Sequence, residues 1–219
     1  MRHFTENPER PFSIGAAQTE LFADPAPWAA AFAGQRAIVC RDIFDAALFP
    51  RLLTAASTTQ FRDDYVVELG TRAVEEPQRV GGTINVLLQR PNLFRWLEAV
   101  TGRTGLAGAE GRLVQTRSGG GDALEWHNDL QQVRRALGVT ISFTDTIYTG
   151  GLFEMRRVDD PASARCFDHA RAGTALIFDL GNDIEHRVHP VASGGPRRVF
   201  TGWFMREVML PTAGAGTAA

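Results

Sequence analysis

Hydrophobic and polar positions change their rhythm at Gly111. Beyond it, short runs rich in Val, Ile, Phe and Thr alternate with clusters of Gly, Asp and Pro. That is the pattern of a β-sandwich or barrel, in which each run buries one face and each cluster turns the chain. The runs predict strands near 112–117, 123–127, 136–145, 151–156, 165–169, 174–179, 185–191 and 197–208, enough for a two-sheet jelly roll. In Ala136-Leu137-Gly138-Val139-Thr140-Ile141-Ser142-Phe143 the bulky apolar side chains fall on one face and the small or polar ones on the other. The bulky face should pack beneath helices and the small face should line a pocket.

Ahead of Gly111 the pattern is mixed. Ala37–Cys40 reads as a short strand, and residues 45–53 carry apolar positions at helical spacing with Asp45 as N-cap. Tyr65–Leu69 and Ile84–Leu88 read as β, and Pro91–Thr101 as a helix ended by Gly102. Pro8, Pro11, Pro25 and Pro27 break up residues 1–35, which should form loops and short helical turns. The Ala-, Gly- and Thr-rich tail, 209–219, has nothing to bury and should be disordered. The expected organisation is one domain over 1–219, mainly β with N-terminal helices: a helix-and-strand layer (37–110), then a jelly-roll core (111–208).

Composition narrows the setting. A chain of 219 residues with 44% hydrophobic content buries roughly 70% of its unfolded surface without covalent staples. Cys40 and Cys166 lie far apart and match no paired-thiolate spacing, which argues against a disulfide framework or structural zinc and for a reducing compartment. No apolar run approaches the ~20 residues of a membrane span, so a cytoplasmic protein is expected. A formal charge of -2 gives no general attraction to nucleic acid. All 23 basic residues are Arg, which excludes lysine Schiff-base chemistry and leaves Arg as the carboxylate anchor.

The chemistry concentrates in Trp126-His127-Asn128-Asp129 and Glu185-His186-Arg187-Val188-His189-Pro190-Val191. Residues i and i+2 of a strand share a face, so His127 and Asp129 can offer an imidazole and a carboxylate to one ion, with a second His from another strand. Two His and one carboxylate leave coordination positions open, the arrangement of non-haem Fe(II) oxygenases. A lone His-x-Asp is more often a surface hydrogen-bonded pair. Its companions shift the balance: Gly121, the Gly150-Gly151-Leu152-Phe153-Glu154 run, Gly173-Thr174-Ala175-Leu176-Ile177-Phe178, and the Val188, Pro190, Val191 pattern.

On these motifs the sequence resembles the Fe(II)- and 2-oxoglutarate-dependent dioxygenases, and within them the prolyl-hydroxylase-like group, closely over 111–206 and loosely from residue 37. The resemblance implies a double-stranded β-helix (jelly-roll, cupin-like) core, Fe(II) held by His127, Asp129 and His186, and 2-oxoglutarate chelating the metal with its far carboxylate on an Arg. The family places its ligand at the His two before Val and four before Pro, which is His186; strand parity turns His189 to the other face. His3 and His169 carry no motif and read as structural. Counting back from Trp203 puts the anchor at Arg197, on the face of Val199, Thr201 and Trp203; a one-residue bulge near Gly194-Gly195-Pro196 would substitute Arg198. Two departures stand out: Leu113–Arg117 lacks the Tyr that usually helps hold the cosubstrate, and the loop at Ser193–Pro196 is slightly long.

The implied reaction consumes O2 and 2-oxoglutarate, releases succinate and CO2, and hydroxylates an amino-acid-like, peptidyl or natural-product substrate. Asp129 fills the ligand place that halide-transferring members typically leave open, so chlorination is not expected. Trp126 and Trp203 are candidates for the apolar wall, and Asn128, Gln131, Gln132 and Arg134 for reading a polar substrate. The rivals are a redox-silent cupin-type isomerase or lyase and a non-catalytic β-sandwich binding protein. Nucleic-acid demethylases carry a second Arg six residues after the first; counted from Arg197 that place is Trp203, so nucleic acid is not an expected partner.

Overall fold

A computed structural model describes residues 2–207. The expected disordered tail, 209–219, and the end of the expected final strand lie outside them. Among the described residues no helix is long and apolar enough to cross a membrane.

The N-terminal segment is more ordered than its prolines suggest. After β1 (Arg2–His3), β2 (Phe12–Ile14) and β3 (Thr19–Leu21) form a hairpin and α1 spans Pro25–Gln35. Asp24 caps α1 by accepting from the Ala26 N–H at 2.8 Å. Pro25 and Pro27 sit in the first turn, where the missing N–H groups have no helical partner to lose. The expectation of loops therefore fails because these prolines start a helix instead of breaking one. There follow β4 (Ala37–Cys40), α2 (Phe49–Thr58), β5 (Phe61–Val66), β6 (Gly70–Glu75), α3 (Arg79–Leu88) and α4 (Pro91–Thr101), the last closed by Gly102 in the left-handed conformation. Asp45 accepts from the Ala47 and Leu48 N–H groups, capping a turn just ahead of α2. The β reading of Ile84–Leu88 is corrected: Val80, Ile84, Leu87 and Leu88 form the buried stripe of α3.

The remaining strands are β7 (Leu106–Thr116), β8 (Ala123–His127), β9 (Arg135–Ser142), β10 (Tyr148–Gly150), β11 (Phe153–Arg157), β12 (Asp160–Phe167), β13 (Ala175–Asp179), β14 (Ile184–Val188), β15 (Val191–Gly194) and β16 (Arg197–Arg206). A 12-stranded sheet runs β1-β12-β11-β14-β8-β6-β7-β16-β9-β13-β4, with β5 on β6. It curls on itself, and β6 is the seam: Gly70 and Thr71 pair with β8, Ala73 and Val74 with β7. The jelly-roll core thus consists of β12-β11-β14-β8 facing β7-β16-β9-β13-β4. Helices cover the outside of the second half, where Ile84, Leu93 and Leu97 join Leu137, Val139, Ile141, Phe143 and Phe200 in one core. The opposite face of β9 is small. At Gly138 a Cβ would meet Phe178 Cζ at 2.2 Å, so only glycine lets that ring cross the strand.

Candidate metal centre

His127 ends β8 and stands opposite His186 of β14 in the register, with ring centroids 4.3 Å apart. The His127 Nδ1–H points at the Glu125 carbonyl, 2.6 Å away, leaving Nε2 free. Asp129 does not lie in the strand. Its φ of +59° puts it in the left-handed region, which Asp tolerates better than most residues. A turn, and not strand alternation, brings its carboxylate back over the two rings. Asp129 Oδ2 lies 3.3 Å from His186 Nε2 and Oδ1 lies 3.9 Å from His127 Nε2. One donor atom from each residue falls within 4.8 Å of the others.

The surroundings hold His127 and Asp129 in the protonation states a divalent cation needs. Burial, helped by the neighbouring His186, lowers the His127 pKa and keeps its imidazole neutral. Burial alone would raise the Asp129 pKa, but His186, His127 and the Trp203 indole outweigh it and hold the carboxyl well below the usual range. Trp203 Nε1 donates to Asp129 Oδ2 at 3.0 Å, and Arg135 Nη1 donates to the Asp129 carbonyl at 3.1 Å while its guanidinium stacks 3.4 Å over the Trp203 ring. The donor set therefore fits a divalent metal: two imidazole Nε2 atoms and an oriented carboxylate. His186 Nδ1 is buried without a hydrogen-bond partner.

The cavity beside this triad is lined by Val114, Val188, Phe178 and Val199, and at its far end by Thr116, Thr140 and Arg197. Arg197, only 3% exposed, faces Thr116 across the β7–β16 ladder. Its Nη2 donates to His169 Nδ1 at 3.0 Å, and its Nε and the Thr116 hydroxyl have no partner among the described residues. Among the described residues it forms no ion pair. Burial lowers its pKa, with Tyr148 working against that shift. His169, fully buried, takes the guanidinium on Nδ1 and contacts Thr140 Oγ1 through Nε2 at 2.8 Å; burial and then Arg197 drive its pKa well below 6.5. Tyr148 interacts with Arg197 and Asp168 from behind the cavity, and burial pushes its phenol up to about 12.

Arg198 points away, donating to Asp145 at 2.9 Å and Gln115 at 3.2 Å. His189 also faces outward, its Nε2 2.7 Å from Glu154. His3 is exposed in β1. Of the two wall candidates, Trp203 lines the cavity and Trp126 does not: its ring lies between the guanidinium groups of Arg156 and Arg187, at 3.9 and 4.5 Å. Gln131, Gln132 and Arg134 are exposed on the loop leaving the centre, and Asn128 accepts from the Leu130 N–H. Arg72, Arg135, His169, Thr116 and Tyr148 carry no motif signal. The one clue to the buried pair is parity, which aligns Thr116 with Val114 on the pocket side of β7.

Residues 113–205 match the family model described as the 2OG-Fe(II) oxygenase superfamily, whose members use Fe(II) and 2-oxoglutarate. A comparison with curated proteins returned no match. In fold the chain is similar to an oxidoreductase of the 2OG-Fe(II) oxygenase family from Burkholderia pseudomallei (16% identity, 94% of this chain and 95% of that one, TM-score 0.65). It is also similar to a prolyl-4-hydroxylase from Pseudomonas putida (17%, 84% and 100%, 0.61). The α-ketoglutarate-dependent epimerase SnoN of nogalamycin biosynthesis shares the fold too (15%, 90% and 94%, 0.61). The segment that matches the 2OG-Fe(II) oxygenase superfamily model, residues 113–205, contains the His-Asp-His cluster and Arg197.

Proposed function

We propose that this protein is an Fe(II)- and 2-oxoglutarate-dependent hydroxylase acting on an amino-acid-like, peptidyl or natural-product substrate. The observation that carries this reading is Arg197: a buried guanidinium facing the cavity, with no carboxylate partner among the described residues, across from a cluster suited to a divalent metal. A buried charge without a counter-ion is costly. The distal carboxylate of 2-oxoglutarate is the counter-ion that removes the cost, with the Thr116 hydroxyl donating beside it.

His127 and His186 hold the metal through Nε2 and Asp129 through its carboxylate. The bound iron supplies the coupling of O2 reduction to oxidative decarboxylation of 2-oxoglutarate. The rest is done by the chain. His169, accepting from Arg197 and fixed by Thr140, keeps the guanidinium fork aimed along the cavity. Trp203 fixes the Asp129 carboxylate. Val114, Val188, Val199 and Phe178 exclude water from the oxidising end of the cavity. Asp129 fills the carboxylate place, which favours oxygen insertion over halide transfer.

With Mn(II) in place of iron, Arg197→Gln should raise the 2-oxoglutarate dissociation constant by about two to four orders of magnitude, a loss of roughly 3–5 kcal/mol. Arg198→Gln should leave it within about threefold. Unchanged affinity in both variants would overturn the cosubstrate assignment. Because an epimerase shares the fold, the product decides the outcome: hydroxylation adds one oxygen atom from O2, whereas epimerisation leaves the mass unchanged.

A further inference from the structure

Three arginines gather at the mouth of the cavity beside Asp129: Arg72 lines the cavity, and Arg112 and Arg135 flank it. Arg72 lies on the inner face of β6, at the seam, and lines both the cavity beside His127 and Asp129 and the outer cleft beneath the β5–β6 hairpin. Its side chain is 15% exposed, and Nε donates to Asp64 Oδ2 at 3.0 Å while its terminal nitrogens have no partner among the described residues. Arg112 shares the pocket-side face of β7 with Val114 and Thr116, directly across from Thr201. Among the described residues it has no hydrogen bond or ion pair. Arg135 is the third, stacked on Trp203 and donating to Asp129.

Arg72 and Arg135 each sit near enough to Arg112 to feel its charge; burial first, and then that repulsion, lowers the pKa of Arg72 despite Asp64. Asp64, Glu110 and Asp129 lie within electrostatic reach of this group, and Asp63 and Asp122, which line the outer cleft beside Arg72, are both engaged by Arg117. Asp129 belongs to the metal in the proposed site. Arg112, without an ion pair among the described residues, and the unpartnered terminal nitrogens of Arg72 therefore leave cationic donors unused in a partly desolvated setting, which is costly.

We propose, building on the 2-oxoglutarate reading above, that the substrate bears an oxyanion, a carboxylate or a phosphate ester, held at the mouth by Arg72 and Arg112 while the bond to be oxidised lies over the His127, Asp129 and His186 cluster. The free terminal nitrogens of Arg72 can take both oxygens of such a group. Arg112 supplies the second charge from the neighbouring strand, β7. The apolar stretch between the mouth and the metal, Leu124 and Val188, takes the body of the substrate.

The test uses protein loaded with Mn(II) and 2-oxoglutarate, titrated by calorimetry with a panel of N-acetyl amino acids, their neutral carboxamides, phenyl phosphate and inorganic phosphate. At least one acid or phosphate should bind about tenfold or more tightly than its neutral counterpart. The ratio of carboxylate to phosphate affinity then distinguishes the two sources of oxyanion. Arg72→Gln and Arg112→Gln should each erase the preference while 2-oxoglutarate affinity stays within about threefold of wild type, which also shows that both variants fold. The proposal is overturned if acids and amides bind alike, if no panel member binds, or if the preference survives both substitutions. A loss of 2-oxoglutarate affinity in Arg72→Gln would assign that guanidinium to the cosubstrate and overturn it as well. Failure of wild-type protein to bind 2-oxoglutarate would be a different result, sinking the underlying reading instead.

Discussion

The inner and outer faces of the same strands carry similar residues in opposite states. Outside, charges are matched: Arg187 and His189 both reach Glu154 at 2.7 Å, Arg156 reaches Glu185 at 2.7 Å, and Arg198 reaches Asp145 at 2.9 Å. Inside, Arg197 and Arg112 have no carboxylate partner among the described residues, and the carboxylate of Asp129 is aimed at two imidazoles. The tryptophans follow the same division. Trp126 is stacked between two arginines that are already paired, while Trp203 stacks on Arg135 and donates to Asp129. A matched charge has finished its work when the chain folds, whereas an unmatched buried one is waiting for a ligand.

The comparison breaks most visibly at the histidines. His127→Ala, Asp129→Ala and His186→Ala should each abolish turnover and sharply weaken Fe(II) binding in an anaerobic titration, whereas His189→Ala should keep its metal; iron lost from His189→Ala and retained by His186→Ala would reverse the two faces. A smaller contrast lies between the indoles. Trp203→Phe removes a hydrogen bond to a proposed ligand and should lower metal affinity by about 10- to 100-fold, while Trp126→Phe should leave metal affinity alone and cost less than about 1 kcal/mol in urea unfolding.

The smallest expected effect is a pH dependence. Burial would raise the Glu154 pKa, but His189 and Arg187 outweigh it and hold it below 4.5. The unfolded chain therefore binds that proton more readily than the folded one. The stability gained from Glu154 is fully present above pH 4.5 and is lost as pH falls through the depressed folded value. Glu154→Gln should flatten this part of the acid-unfolding curve, with a melting temperature lower by about 2–4 °C near neutrality for each kcal/mol lost. An unchanged acid slope would show that Glu154 is not held by its two partners.

Strand alternation made much of this legible. It separated Arg197 from Arg198 because an uninterrupted ladder from Arg197 to Phe204 preserves a period of two, so Arg197, Val199, Thr201 and Trp203 all line the cavity. It also divided β9 into a bulky and a small face. Where geometry depends on something other than a local period, the sequence is silent or misleading. Asp129 arrives by a left-handed turn that alternation does not describe. The stretch Ile84–Leu88 is too short to distinguish strand from helix without Val80 beside it. Trp126, in a motif strand, faces outward because parity follows His127, its neighbour, and must turn the other way. Arg72 and His169 reach the cavity from distant strands and loops, and nothing around them in sequence marks the encounter.

The order in which the wall is assembled follows from the pairing of β7, which begins at Leu106, with β16, which ends at Arg206. β16 is also the partner of β9, so it is inserted between two strands made earlier. During synthesis β7 and β9 each wait with an open edge until almost the whole described chain has left the ribosome. Local contacts cannot shorten that wait, since β8 to β15 all lie in sequence between β7 and the closing strand. Long-range closure of this kind is slow and leaves the intermediate open to edge-to-edge association. Arg197 sits in the last described strand, so the charged end of the cavity is built only when the barrel shuts.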